Sequence, residues 1–333
     1  MIVHRYITHV LDKKADEPIL NDFEGRISLE VDKFLQSSIK KVKKEECLRK
    51  AKFNDFGENV IRNVCDEIIH NEDTFVENSK EIAAYLFDVM KESDYIESCD
   101  LIICLITDHD EKYVAIIKVD YKKIYNHSVE YQDDKFNIQI VENEIGIAET
   151  FKPKQCALIG VNGVEDEYDL RVIDIEAEKN CNKSIFIEKF INARKIIDDT
   201  YKTSSFIHQV TLWINSYFTD VNSKQSAFNL LVYVLMNTTS IDIDEFVDRL
   251  IKGDKEAKES FIEDMSRCKI SNFNVNKKIV EKRFKKIDLD LVNFKMKCRL
   301  DDFNNINLFE IIQNGDKCDL VIKNIGNLRI NGC

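Results

Sequence analysis

Proline and glycine are scarce in this chain of 333 residues, which contains two prolines and nine glycines. So few turn-forming residues argue against long disordered linkers and against a loop-rich all-β fold. No apolar run approaches the roughly 18 residues that a membrane span requires, and we expect no membrane segment. None of the ten cysteines forms a C-x-x-C pair, so the sequence predicts reduced thiols that serve as small apolar side chains.

Hydrophobic periodicity predicts an α+β fold in three segments. The first, 1–180, is an N-terminal antiparallel sheet with helices on one side. The second, 181–240, is a central helical segment. The third, 241–333, places several helices before a small antiparallel sheet. The predicted strands are 2–11, 99–107, 111–121, 135–143, 155–161, 168–176, 286–300, 306–312 and 318–325, and the first predicted helices lie at 26–42, from Val60 and after a capping box, Thr74-x-x-Glu77.

The chain is acidic, with a formal net charge of −12, yet residues 277–286 carry six positive charges and one negative charge. This tract reads KKIVEKRFKK. Helical spacing places Val280 and Phe284 on one side of a helix and most of the lysines on the other. Such a concentration of positive charge indicates an anionic partner or an acidic neighbour. The candidate nucleic-acid contacts are Lys277, Lys278, Lys282, Arg283, Lys285 and Lys286.

A second basic tract, 40–52, reads KKVKKEECLRKAK and holds seven positive charges against two negative charges. Its candidate contacts are Lys40, Lys41, Lys43 and Lys44. Binding through such contacts to phosphate would weaken as the salt concentration rises. The alternative for both tracts is a solvated face that pairs with the acidic remainder of the chain. Neither tract contains interleaved aromatic residues, so we expect no base-stacking surface for single strands.

No group of residues in the sequence has the pattern of a catalytic site or a metal site. Asp108-His109-Asp110 contains ordinary metal ligands, but its position between two strands indicates a hairpin turn. Asp242 precedes a periodic apolar segment, which is typical of a helix N-cap. We therefore expect no cofactor, no metal and no enzymatic activity.

The order of the elements resembles the bacterial nucleoid-associated protein family over almost the whole chain. The stretches that carry the resemblance are a first strand, the hairpin CDLIICLITDHDEKYVAIIKVDYKK, YDLRVIDIE, a long helix through FIEKFINARK and the closing DLVIKNIGNLR. The closing stretch is the most specific of them. The resemblance implies a soluble cytoplasmic protein that is found with the nucleoid and is not an enzyme. It assigns no functional residues.

These features favour a non-enzymatic, nucleoid-associated protein that binds DNA through electrostatic phosphate contacts. The expected partner is double-stranded DNA, read with low sequence specificity, and a homo-oligomer is left open. The alternative is a protein–protein interaction or oligomerisation module without direct DNA contact. In that case the apolar stripe from Phe206 to Phe218 would support a dimer formed through one helix.

Overall fold

An antiparallel sheet of seven strands organises residues 1–196, the first of two units into which the chain divides. The computed structural model describes residues 1–120, 124–132, 135–143, 151–161, 168–180, 182–291, 294–303, 305, 307–314 and 317–324. The strands of the first unit are β1 (Ile2–Leu11), β2 (Arg49–Phe53), β3 (Cys99–Asp108), β4 (Glu111–Asp120), β5 (Ile124–Gln132), β6 (Lys135–Asn143), β7 (Gln155–Val161), β8 (Tyr168–Asp174) and β9 (Ala193–Lys195). The sheet order is β1-β3-β4-β7-β8-β2-β9, while β5 and β6 form a separate hairpin. The predicted α+β class is confirmed.

Helices cover both faces of this sheet. Helix α1 (Leu29–Lys44) packs on one face, and α2 (Val60–His70) and α3 (Phe75–Lys91) pack on the other. Strand β3 explains the arrangement, because its odd-numbered apolar side chains join the α2–α3 cluster and its even-numbered ones join the α1 cluster. The prediction of helices on one side was wrong, since a strand that is apolar on both faces requires cover on both.

The turn between β3 and β4 consists of two residues, His109 and Asp110, both with left-handed backbone angles (φ of 51° and 67°). Asp108 pairs with Glu111 across the end of the hairpin. Two-residue turns with positive φ match the natural twist of paired strands. The sequence prediction of a turn at this position is confirmed.

The predicted capping box at Thr74 was wrong, although the helix it was meant to open is present. Thr74 already has helical backbone angles, φ −82° and ψ −3°, and its side chain makes no capping hydrogen bond. It ends a 3₁₀ turn, Glu72–Thr74, which is capped by the Asn71 side chain. The 3₁₀ turn leads directly into α3, so the helix starts without a separate N-cap.

The long helix expected through FIEKFINARK is absent from this described stretch. A short helix α4 (Ile175–Lys179) follows β8, and a π-helical turn, Phe186–Phe190, leads into β9. Phe186 and Phe190 are buried in the α2–α3 cluster with Ala193. Because β9 pairs with β2 at the edge of the sheet, strand pairing replaces the helical continuation.

In its described residues, the second unit, 197–333, combines helices with three two-stranded sheets. Its helices are α5 (Asp199–Tyr217), α6 (Val221–Asn237), α7 (Ile243–Leu250), α8 (Lys255–Arg267), α9 (Lys277–Phe284) and α10 (Leu300–Phe303). Its strands are β10 (Ser240–Ile241), β11 (Phe273–Asn274), β12 (Lys286–Leu291), β13 (Phe294–Arg299), β14 (Phe309–Asn314) and β15 (Lys317–Ile322). The segment predicted as 181–240 is thus divided between the two units.

Two details of the second unit differ from the predictions. The strand expected over 286–300 is the hairpin β12–β13, because a strand of that length exceeds the usual 3–10 residues or so and folds back on itself. Cys268 forms a disulfide, so the prediction that all cysteines are thiols was wrong for this residue. The sequence spacing of cysteines does not exclude a disulfide, because its two cysteines need only be close in space.

Two predicted turns fall on residues that the structure does not describe. They are the turn at 162–163 and, in the turn Asn314-Gly315-Asp316, the residues Gly315 and Asp316.

Aromatic packing forms the core of the second unit. Phe206 on α5 meets the rings of Phe246 and Phe273 edge-on, with centroids 5.0 and 5.4 Å apart. Trp213 meets Phe261 at 5.3 Å. The predicted apolar stripe of α5 therefore packs largely within its own unit, and a dimer formed through this stripe stays a prediction.

Candidate nucleic-acid interface

Helix α9 carries the first basic tract and is fixed by contacts along one side. At its start, the Asn276 backbone N–H donates to Thr203 Oγ1 (3.0 Å), and the Asn276 side chain donates to Thr200 Oγ1 (3.1 Å). Val280 is fully buried, and the Phe284 ring meets the Phe228 ring of α6 edge-on at 5.8 Å. The predicted division of this tract into an apolar side and a basic side is confirmed, since Val280 and Phe284 are its two buried residues.

Lys277 differs from the other cations of the tract. Its ammonium group donates to three backbone carbonyls at the end of α6, those of Leu235 (2.8 Å), Met236 (2.8 Å) and Thr238 (2.5 Å). The last carbonyls of a helix lack intrahelical partners and carry partial negative charge. Lys277 therefore has a structural role that fully occupies its three donors.

Lys278, Lys282 and Lys285 are exposed and follow one another along a single face at intervals of four and three residues. We call these three residues the lysine stripe. Among the side chains that the structure describes, no carboxylate pairs with any of them. Glu281 is exposed on the same helix, and so is Arg283. The stripe is thus a row of solvent-exposed ammonium groups on a helix whose opposite side is packed into the second unit through Val280 and Phe284.

This arrangement is unfavourable for the isolated helix. Lys278 stands in the first turn, where the backbone N–H groups already carry partial positive charge. Lys278 and Lys282 are also like charges four residues apart, which destabilises a helix by about 0.2–0.5 kcal/mol. The buried contacts of Val280 and Phe284 offset these costs. An anionic ligand would relieve the repulsion.

Lysines of the second basic tract have mixed surroundings. Lys41 donates to the Phe151 carbonyl oxygen (2.8 Å), and Lys43 forms an ion pair with Asp108. The hydrogen bond from Lys43 holds the pKa of Asp108 below its usual value. Lys40, by contrast, is exposed and bonds only the neutral Gln36 among described side chains (3.1 Å), and Lys44 is exposed.

The end of this tract is the strand β2, which sequence reasoning did not identify. Arg49 is buried and donates to Glu178 Oε1 (2.7 Å), while Lys195 binds the other oxygen (2.7 Å). Burial alone would raise the pKa of Glu178, but the two cations outweigh it and lower the pKa. Lys50 and Lys52 alternate with buried residues and point to solvent. Arg49 is thereby removed from the set of exposed cations.

A cavity beside α9 was also missed from the sequence. It has a volume of about 510 Å³ and is lined by Lys286, Lys297, Cys298, Arg299, Asp302, Leu308, Phe309, Ile322 and Lys323. Arg299 binds Asp302 through two nitrogens (2.7 and 2.9 Å), and Lys323 pairs with Glu310. Lys286 is exposed and begins β12, separated from the end of α9 by Lys285 alone. It is the last residue of the basic tract and also lines the cavity. No local sequence pattern joins these residues, because they come from four strands, a short helix and the ends of neighbouring loops.

Residues 7–329 match the family model described as nucleoid-associated protein YejK. The chain belongs to this family. The match confirms the resemblance seen in the sequence, and it associates the protein with the bacterial nucleoid and hence with the cytoplasm. Among curated proteins, none matches the chain. In the described part of the chain, no helix is both long and apolar enough to span a bilayer.

The region that matches the family model, 7–329, contains both basic tracts, 40–52 and 277–286. It also contains the residues that line the cavity, the last of which is Lys323. In the described residues, no group of three or more histidine, cysteine, aspartate or glutamate side chains has the geometry of a metal site. Asp242 accepts a hydrogen bond from the Glu245 backbone N–H (3.0 Å) and caps α7. The prediction of an N-cap at that position is confirmed.

Proposed function

We propose that this nucleoid-associated protein binds double-stranded DNA directly, with low sequence specificity and without catalysing a reaction. The observation that carries the proposal is the lysine stripe, an exposed row of cations on a helix anchored by Val280 and Phe284. A strongly acidic protein repels DNA over most of its surface, so binding requires a local surface of this kind. Membership of a nucleoid-associated family supports DNA as the polyanion.

The dimensions of the stripe fit phosphate contacts. Lys285 lies seven positions after Lys278, which corresponds to about 10 Å along a helix. Phosphates of one strand follow at about 3.4 Å along the duplex axis, so the stripe spans about three of them. Lysine heads contact phosphate as point charges and do not read base edges. Affinity without sequence preference is the expected result.

The second basic tract is proposed as a weaker contact. Lys40 and Lys44 retain exposed heads, whereas Lys41 and Lys43 already have partners within the first unit. Moving Lys43 to a phosphate would leave the carboxylate of Asp108 without this partner. We therefore expect Lys40 and Lys44 to contribute more to DNA binding than Lys41 and Lys43.

The test is duplex binding by the full chain at several salt concentrations between about 50 and 200 mM. A variant with Lys278→Gln, Lys282→Gln and Lys285→Gln removes the stripe without adding negative charge. The slope of log affinity against log salt should become shallower by about 0.9 for each lysine that contacts a phosphate. The matched control is Lys252→Gln with Lys255→Gln, exposed lysines of the same unit outside the tract. Equal slopes in the wild type, the stripe variant and the control would show that the lysine stripe does not contact DNA phosphates.

Protein–protein interaction is the second candidate function, and the β5–β6 hairpin is the observation that favours it. Val129, Tyr131, Phe136 and Ile138 face one another across the two strands and are 51, 62, 72 and 66% exposed. An apolar hairpin face of this kind is normally buried against another surface. Light scattering of the wild type and of Phe136→Ser tests whether this face holds an oligomer together. A monomer in both cases, together with salt-dependent DNA binding, would favour the first function.

A further inference from the structure

The cavity in the second unit has apolar lining residues, which we call its floor, and cationic lining residues, which we call its rim. Leu308, Phe309 and Ile322 supply the floor, and one side of the Phe309 ring packs near Phe303, with centroids 5.9 Å apart. The rim contains Lys286 and Arg299. A volume of about 510 Å³ lies within the range of small-molecule sites, about 300–1,000 Å³.

The rim is not fully neutralised by its own carboxylates. The two nitrogens that Arg299 directs to Asp302 form a fixed pair, and Lys323 is paired with Glu310. Lys286 is a lining cation for which the described side chains provide no carboxylate. A ligand that suits this cavity needs a flat apolar part for the floor and a negative group at the Lys286 end.

We propose that the cavity accepts one unpaired nucleotide of a DNA strand, with the base against Phe309 and Ile322 and its phosphate at Lys286. This inference rests on the proposed function, because the phosphates that precede the nucleotide would lie on the lysine stripe. Lys286 is adjacent in sequence to Lys285, the last residue of the lysine stripe, so a DNA strand that leaves the stripe would meet the rim of the cavity next. The protein would then prefer DNA that contains unpaired nucleotides over intact duplex.

The proposal revises an expectation drawn from the sequence. The sequence predicted no base-stacking surface, because the basic tracts contain no interleaved aromatic residue. The fold supplies Phe309 from β14, which is distant in sequence from Lys286 but lines the same cavity. Aromatic side chains stack on any base, so the preference would be for unpaired nucleotides and not for a sequence.

The first test compares a fully paired duplex with a duplex of equal length and phosphate count that contains a short mismatched bubble. The wild type should bind the bubble about tenfold more tightly, which is in the range measured for one stacked base. Phe309→Leu keeps an apolar side chain against Phe303 but removes the flat ring, and it should abolish the preference while leaving duplex affinity unchanged. The variant with all three stripe lysines replaced by glutamine should weaken binding to both DNAs and keep the preference.

The second test uses Cys298, a half-buried thiol in the cavity wall, as a local reporter. Thymidine monophosphate should slow alkylation of Cys298, mapped by mass spectrometry, and leave the half-buried Cys47 of the other unit unaffected. Equal protection by inorganic phosphate would overturn the nucleotide assignment, because the base would then contribute nothing. If thymidine monophosphate did not protect Cys298 and the wild type did not prefer the bubble, the inference would be overturned. The salt dependence of duplex binding would still test the proposed function independently.

Discussion

Lys277 Nζ lies 2.8 Å from the carbonyl oxygen of Leu235, and the same ammonium group reaches two further carbonyls at the end of α6. Its neighbour Lys278 is exposed and has no carboxylate partner among the described side chains. Two adjacent lysines thus have different roles. One joins α9 to α6, and the other belongs to the surface proposed to bind DNA.

Lys277→Met should destabilise the second unit by about 1.5–3 kcal/mol, the usual contribution of hydrogen bonds to a charged group. Three carbonyls would lose a donor, and their partial negative charge would lose its counterion. Trp213 is the single tryptophan and is buried in this unit, so its fluorescence follows unfolding in denaturant. Lys278→Met is the control and should change the free energy of unfolding by less than about 0.5 kcal/mol. Equal destabilisation by both substitutions would contradict the distinction.

Phe284→Ala should destabilise the second unit by about 3–5 kcal/mol, because it removes a buried ring that contacts Phe228. It should also weaken duplex binding without changing any charge, since the lysine stripe depends on α9 being in place. Phe284→Leu retains most of the apolar volume and should recover much of both properties. The measurements are Trp213 fluorescence in denaturant and duplex affinity at low salt. If Phe284→Ala destabilised the second unit but left duplex affinity unchanged, DNA binding would not depend on the packing of α9, and this prediction would be wrong.

The sequence was sufficient to predict α9, because the spacing of Val280 and Phe284 already identifies its buried side. It was not sufficient to distinguish Lys277 from Lys278, since the carbonyls that bind Lys277 belong to another helix. The cavity at Lys286 could not be predicted from the sequence either, because its walls form only when β12, β13, β14 and β15 have folded. Local periodicity therefore predicted the element, and tertiary contacts decided which of its cations remain exposed.

The strand β2 shows a different limit of sequence reasoning. Its five residues, RKAKF, alternate between buried and exposed positions, but the charges conceal the alternation. The guanidinium of the buried Arg49 is bound by the Glu178 carboxylate from α4 and by the Glu46 carbonyl. A buried arginine cannot be recognised without its partner, which is remote in sequence. The helical interpretation of FIEKFINARK failed in a related way, because the pairing of β9 with β2 is equally remote.

Glu178→Gln should destabilise the first unit by about 3–5 kcal/mol, because it removes the carboxylate that the buried Arg49 binds at 2.7 Å. Lys195 would lose the same partner but is more exposed, so its share should be smaller. The first unit contains no tryptophan, so its unfolding in denaturant is the part of the circular-dichroism transition that Trp213 fluorescence does not follow. A double variant, Arg49→Met with Glu178→Leu, removes the charge and the counterion together and should recover part of the loss. Equal stability of Glu178→Gln and the wild type would show that Arg49 finds another partner.

His9 should make the stability of the first unit depend on pH. It is fully buried, its Nδ1 accepts from the Asn21 backbone N–H (3.1 Å), and its Nε2 therefore donates to Ser79 Oγ (3.1 Å). Burial, with a smaller effect of Lys80, lowers its pKa to about 4. Since this lies below the unfolded value of about 6.5, the stabilisation is complete above pH 6.5 or so and declines as pH falls towards 4. The total loss should be about 3 kcal/mol.

Unfolding followed by circular dichroism at several pH values from about 7 to 4 measures this dependence, with the pH range taken from the folded and unfolded pKa values. His9→Gln lacks the titrating ring and should lose this part of the pH dependence, even if the substitution lowers stability at every pH. His70→Gln, which changes a largely exposed histidine of the same unit, should retain it. Protonation of His9 also converts Nδ1 from an acceptor into a donor that faces the Asn21 N–H. The unfolding of the first unit in acid should therefore begin with the segment around Asn21, and hydrogen exchange of the Asn21 amide should accelerate before that of the amides in β3.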